Sequence, residues 1–171
     1  VISVIGNKLL DQRMMARKTE ELEVIGATTQ LLDVEKKKKP IVWILIDEAH
    51  QFIPKTEETP ATSILKRLLR EGRQPGIAMI LATQQPGQIH HDVMTQSDIV
   101  ISHRVTARQD IEALNAIMQT YVVSDIQKYL NHLPHLKGSA IILDDNAEKI
   151  YPIQVRPRWS WHGGDAPVAV K

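Results

Sequence analysis

Apolar residues fall along this chain in two kinds of run, and together they predict strands alternating with helices. Residues 41–46, IVWILI, are apolar without a break. The run is too short for a buried helix and rich in branched side chains, which predicts a central parallel strand covered on both faces. Residues 76–83, GIAMILAT, predict a second buried strand, closed by Pro86-Gly87. Between these runs Ala61, Ile64, Leu65, Leu68 and Leu69 recur at helical spacing, the stripe of a core-facing helix. Thr59-Pro60 offers that helix a cap and an N1 proline, and Gly72 ends it.

The flanking segments read less sharply. Residues 1–5 predict a short strand closed by Gly6-Asn7. Residues 8–33 predict a helix with Met14, Leu22, Ile25 and Leu32 near one face, weakened by about 1 kcal/mol at Gly26. Residues 98–102 predict a short third strand. Thr106 with Gln109, and Ser124 with Gln127, are capping-box pairs ahead of helices reaching Met118 and about Leu133. Residues 139–143 and 149–155 flank Asp144-Asp145-Asn146 and predict an antiparallel hairpin, with Pro152 marking an edge strand. Strand–helix alternation predicts a three-layer α/β domain with a mostly parallel sheet and its crevice at the carboxyl ends of the strands.

Composition narrows the setting more than the activity. The 171 residues match the usual size of one domain, and 43% hydrophobic content is enough for a core. A net charge of +1 is silent about nucleic acid. The absence of cysteine excludes disulfides and thiolate metal sites and points to a reducing, cytoplasmic setting. No apolar run approaches the roughly 18–20 residues that span a bilayer, so no membrane role is expected. The chain opens on apolar residues without an initiator Met, as a cut inside a domain would.

The chemistry concentrates where the two central runs end. An apolar strand followed directly by Asp47-Glu48 is the Walker B pattern. The first carboxylate can hold Mg²⁺, usually through water, and the second can orient and polarise an attacking water. An acidic pair can also simply open a loop. The second run ends in Thr83-Gln84, and Gln84 suits a side chain that senses a terminal phosphate. Arg70 and Arg73 lie between the runs. Either guanidinium could stabilise phosphoryl charge, in trans if it stands at a subunit boundary, or could be a solvated surface group. His50 completes D-E-A-H and suits a supporting or coupling role better than metal ligation. His90-His91-Asp92 lacks a third ligand at good spacing. The lysine run 36–39 reads as a solvated loop, His103, Arg104 and Arg108 as DNA-facing, subunit-facing or solvent-facing, and Trp159 and Trp161 as packing residues of the tail.

The strings ILIDEAHQF, LLREGRQPGIAMILATQQP and SDIVISHR resemble the HerA branch of the HerA/FtsK superfamily of RecA-like P-loop ATPases, and KGSAIIL, YPIQVRPR and HGG are similar to its C-terminal strands and tail. The resemblance implies that residues 1–158 are the C-terminal part of a RecA-like domain and 159–171 a tail. It implies ATP and Mg as cofactors. It assigns Asp47 to magnesium and nucleotide binding, Thr83 to nucleotide binding, and Glu48, Arg73 and Gln84 to catalysis. It further implies a hexameric ring that pumps duplex DNA through a pore, with a NurA-type nuclease, in end resection and repair.

The sequence departs from that family in having no G-x-x-x-x-G-K-[ST] loop; Gly6-Asn7-Lys8 lacks the glycine spacing that exposes backbone N–H groups to phosphate. The family places the loop upstream, so this piece alone is expected to bind and hydrolyse nucleotide poorly. Two other readings remain. One is a DEAH-box helicase, disfavoured because the second strand ends A-T-Q and no Q-x-x-G-R-x-x-R follows. The other is a degenerate half-domain used for assembly or docking, without hydrolysis.

Overall fold

The computed structural model describes residues 1–26, 39–118 and 126–160. Among the described residues, besides two short 3-10 turns, the elements are α1 (Ile2–Gly26), β1 (Val42–Ile46), α2 (Thr62–Glu71), β2 (Ile77–Leu81), α3 (His91–Thr95), β3 (Ile99–His103), α4 (Arg108–Met118), α5 (Ile126–His132), β4 (Ser139–Asp144) and β5 (Lys149–Gln154). They divide into two compact units. One holds Val1–Ser97 and Thr106–Tyr121, the other Asp98–Val105 and Val122–Lys171.

The first unit is built on a parallel pair. β1 runs beside β2 with Val42 opposite Ile77 and Ile46 opposite Leu81. Val42, Ile44, Ile46, Met79 and Leu81 pack on a core formed by Leu10 of α1, Ile64, Leu65 and Leu68 of α2, Val93 of α3, and Ile53 and Ile89 of the connecting segments. The stripe expected on α2 is the one buried, with Leu69 half-buried at its margin. The helix itself starts two residues after Pro60. Thr59 Oγ1 accepts from the Ala61 amide at 3.2 Å and donates to the Phe52 carbonyl at 2.7 Å, so the threonine closes the turn before the helix.

Two expectations need correcting here. The apolar run 41–46 is not covered on both faces: Val42, Ile44 and Ile46 face the core while Trp43 and Leu45 are exposed, the alternation of a strand with one open face. Residues 1–5 form no strand; from Ile2 they make the first turn of α1, an ambiguity intrinsic to short apolar runs. The packed face of α1 is Ile2, Gly6, Leu10 and Arg13, spaced by four, four and three. Gly6 is buried because α1 crosses α2 closely; a Cβ there would stand 2.8 Å from Ile64 Cγ1. Met14, Leu22 and Ile25, expected on the packed face, are exposed. A stripe of glycine and arginine carries little hydrophobic signal, so the larger apolar residues misdirect the reading. Leu32, with the rest of the helix expected past Gly26, lies outside the described residues.

In the second unit the expected hairpin is present. β4 is central, antiparallel to β3 on one side and β5 on the other, and Pro152 sits on the edge strand opposite Ile141. The third apolar run thus joins an antiparallel sheet. Ala140, Ile141 and Leu143 of β4 are buried, as are Ile126 and Leu130 of α5. Trp159 does not pack as expected: it is 89% exposed, with the Arg156 guanidinium 3.9 Å from its ring centroid. No helix among the described residues is long and apolar enough to cross a membrane.

Candidate functional site

The parallel pairing of β1 and β2 continues one step past both strands. Ala82 N donates to Ile46 O and Ala49 N donates to Ala82 O, each at 2.9 Å. The two strand tips are therefore locked in register, and the polar residues that follow them emerge side by side. Right after β1 the chain turns at Glu48, held at φ 48 and ψ 45, into the 3-10 turn Ala49–Gln51. A non-glycine residue in this left-handed region carries a strain of order 1 kcal/mol or more and is commonest where function fixes a side chain.

The side chains at these tips form one network. Gln84 Nε2 donates to Glu48 Oε1 at 2.8 Å, bridging 36 positions of sequence. His50 Nδ1 lies 2.9 Å from Thr83 Oγ1 and 3.5 Å from Glu48 Oε2. Thr83 Oγ1 also accepts from the Gln85 amide at 3.0 Å. Asp47 faces solvent, with Oδ1 accepting from the Glu48 amide at 2.9 Å. Glu48 Oε2 is buried without a hydrogen-bond partner among the described residues. The His50 contact counts as an ion-pair distance but is too long for a good hydrogen bond, so this oxygen is under-satisfied.

Four of the five residues expected at the site (Asp47, Glu48, Thr83 and Gln84) converge at the carboxyl ends of β1 and β2. Arg73 does not join them. It lies four residues before β2 begins, in the turn whose Gly76 N–H bonds to Arg73 O at 3.2 Å, and it is exposed. The five-residue strand separates it from Gln84 by roughly 15 Å at about 3.3 Å per residue. Arg70 is also engaged elsewhere, paired with Asp92 Oδ2 on α3.

His50 is the residue whose place sequence reading left open. It completes the acidic motif, but only the fold reveals that it spans Thr83 and Glu48. Two other conspicuous histidines are engaged elsewhere. His90 caps α3 by accepting from the Asp92 amide at 3.1 Å, and His103 Nδ1 lies 3.1 Å from Ser139 O. No group of three or more His, Cys, Asp or Glu residues suited to a metal ion stands among the described residues.

The donor set fits a hydrated divalent cation and a water: a solvent-facing carboxylate on Asp47 and an under-satisfied carboxylate oxygen on Glu48. It does not fit a triphosphate by itself, since the chain contains no phosphate-cradling glycine loop with its lysine.

Comparison with known proteins finds relatives for part of this chain. No protein-family model matches the chain. It is 27% identical over 109 residues to the DNA double-strand break repair helicase HerA of Pyrococcus furiosus, a match covering 62% of this chain and 19% of that protein. It is 36% identical over 72 residues to a probable DNA double-strand break repair helicase HerA of Methanocaldococcus jannaschii, covering 42% of this chain and 14% of that one. The chain thus spans less than a quarter of these relatives' length. Among solved structures, the DNA-packaging ATPase of Sulfolobus turreted icosahedral virus superposes with a TM-score of 0.55 at 22% identity, covering 68% of this chain and 53% of that one. The genome-packaging NTPase of Sulfolobus turreted icosahedral virus 2, solved with ATP-γS, superposes with a TM-score of 0.52 at 22% identity, covering 64% and 50%. In sequence this chain is similar to HerA-type helicases over about 60% of its length, and in fold it is similar to the viral packaging ATPases.

Proposed function

We propose that this chain supplies the metal- and water-handling side of the ATPase site in a HerA-type motor that translocates duplex DNA during end processing and repair. One observation carries the reading: Glu48 and Gln84, from two adjacent parallel strand tips, meet at 2.8 Å. A loop-opening acidic pair has no reason to be matched by an amide from the next strand.

In this reading Glu48 is the base. Its carboxylate accepts a hydrogen bond from the attacking water and polarises it. Gln84, bonded to the same carboxylate, fixes its orientation and offers its amide to the terminal phosphate. Asp47, exposed beside them, holds Mg²⁺ through water, and Thr83 presents its hydroxyl to the nucleotide. When bound, the cation neutralises charge developing on the transferred phosphoryl group. The viral packaging NTPase solved with AMP, AMPPCP and ATP-γS supports a nucleotide ligand for this fold. The repair helicases it matches support DNA as the track. A hexameric ring, a NurA-type nuclease partner and a cytoplasmic setting belong to the same proposal.

The deciding experiment uses an intact HerA-type protein carrying this segment. Glu48→Gln is expected to abolish turnover and spare ATP binding; turnover at a wild-type rate would remove Glu48 from catalysis. The lack of a phosphate loop in this sequence supports a second reading, a docking or assembly module without hydrolysis. On either reading the 171-residue chain alone binds ATP weakly, which isothermal titration measures. Micromolar or tighter binding contradicts it.

A further inference from the structure

We propose that His50 is a positioning residue for Glu48, acting through an N–H on Nδ1 aimed between Thr83 Oγ1 and Glu48 Oε2. The proposal rests on Glu48 being the residue that matters at this site, and it says what holds that residue in place.

Three observations converge. First, the His50 side chain is 16% exposed and cannot turn freely. Second, its Nδ1 stands 2.9 Å from Thr83 Oγ1, and Thr83 Oγ1 is itself pinned by the Gln85 amide at 3.0 Å. The imidazole is thereby tied to the tip of β2, although His50 follows β1. Third, the same Nδ1 is the nitrogen 3.5 Å from Glu48 Oε2, the buried oxygen without a hydrogen-bond partner among the described residues.

The chemistry of these groups selects the tautomer. A carboxylate oxygen only accepts, so a bare Nδ1 would set lone pair against lone pair beside an already under-satisfied buried atom. With the proton on Nδ1, Thr83 Oγ1 accepts from both His50 and Gln85 and keeps its own hydroxyl hydrogen free for a phosphate oxygen. The N–H dipole also points toward Oε2. Glu48 is then steadied at both oxygens: Gln84 bonds to Oε1, and the His50 N–H dipole faces Oε2 from 3.5 Å without a hydrogen bond.

The test compares His50→Ala, His50→Asn and His50→Gln. Asparagine places an amide nitrogen close to the position of Nδ1, and glutamine places one close to Nε2. In the full 171-residue chain, the Gln84 side-chain amide reports by NMR on whether Glu48 stays in place. Unsubstituted protein and His50→Asn are expected to show shifted, slowly exchanging Gln84 amide protons, whereas His50→Ala and His50→Gln are expected to give those of a free amide. Identical Gln84 signals in every variant, or rescue by Gln and not by Asn, would overturn the proposal. If a variant does not fold, ¹⁵N spectra of the unsubstituted imidazole decide: a protonated Nδ1 supports the assignment and a bare Nδ1 sinks it. In an intact HerA-type ATPase carrying this segment, His50→Ala is expected to lower kcat roughly tenfold or more with KM little changed, and His50→Asn to regain most of the loss. An equal fall for His50→Asn and His50→Ala counts against the proposal. Should Glu48→Gln leave turnover intact, the proposed function fails, and the NMR comparison still judges the contact.

Discussion

Arg13 carries a charge into the interior of the first unit and shows how single residues hold this fold. Its guanidinium is buried, with Nε donating to Pro75 O at 2.7 Å and Nη1 to Lys39 O at 2.8 Å. Those carbonyls sit just before β2 and β1, so one α1 side chain ties down both strand entries. Arg13→Met keeps much of the volume but leaves two carbonyls without their donor. At roughly 1.5–3 kcal/mol for each hydrogen bond to a charged group, a loss of about 3 kcal/mol is expected in urea unfolding. A change within 0.5 kcal/mol would mean water replaces both contacts. Gly76, beside Arg13, sits at φ +82, and a Cβ there would meet Ile41 Cγ2 at 3.1 Å and Arg13 Nη2 at 3.2 Å. Gly76→Ala is therefore expected to cost about 1–2 kcal/mol, where the same change at a permissive position stabilises. At this scale the sequence is informative where chemistry follows directly on pattern. Asp47, Glu48, Thr83 and Gln84 are legible because each pair ends an apolar run. Arg13 and His50 are not, because their partners lie 62 and 33 positions away and no spacing rule reports them.

Among the elements, α2 and β1 mark opposite ends of legibility. The α2 stripe has large apolar residues at regular spacing, so periodicity names its buried face. Leu65, 1% exposed, is expected to cost roughly 2–5 kcal/mol as Leu65→Ala. The run IVWILI hides its own asymmetry, since all six residues are apolar and only alternate ones reach the core. Leu45 is 70% exposed, so Leu45→Thr is expected to shift stability by no more than about 0.5 kcal/mol in the same urea assay. A loss of 2 kcal/mol or more there would mean that this strand face is covered in solution. For α1 the failure has the other sign. Packing runs along Gly6 and Arg13, residues that a hydrophobic pattern passes over, while the conspicuous Met15 and Val24 point outward.

At the scale of the whole molecule, Arg73 poses the sharpest question. The family resemblance assigns it to the active site, but the fold puts it at the opposite end of β2 from Glu48 and Gln84, with a five-residue strand between. An arginine so placed serves catalysis only if it reaches the site of another subunit, the way an arginine finger acts in trans. That converts a geometric mismatch into a prediction about assembly. In an intact HerA-type protein carrying this segment, Arg73→Ala alone is expected to lower kcat by roughly 10³-fold, the scale typical of a transition-state arginine. Glu48→Gln alone is also expected to be inactive. Mixed before assembly, the two variants create interfaces in which one subunit supplies an intact Glu48 and its neighbour an intact Arg73. ATPase activity of the mixture should therefore exceed that of either variant alone. If Arg73 acted within its own chain, every mixed site would still lack one of the two groups, and mixing would restore nothing.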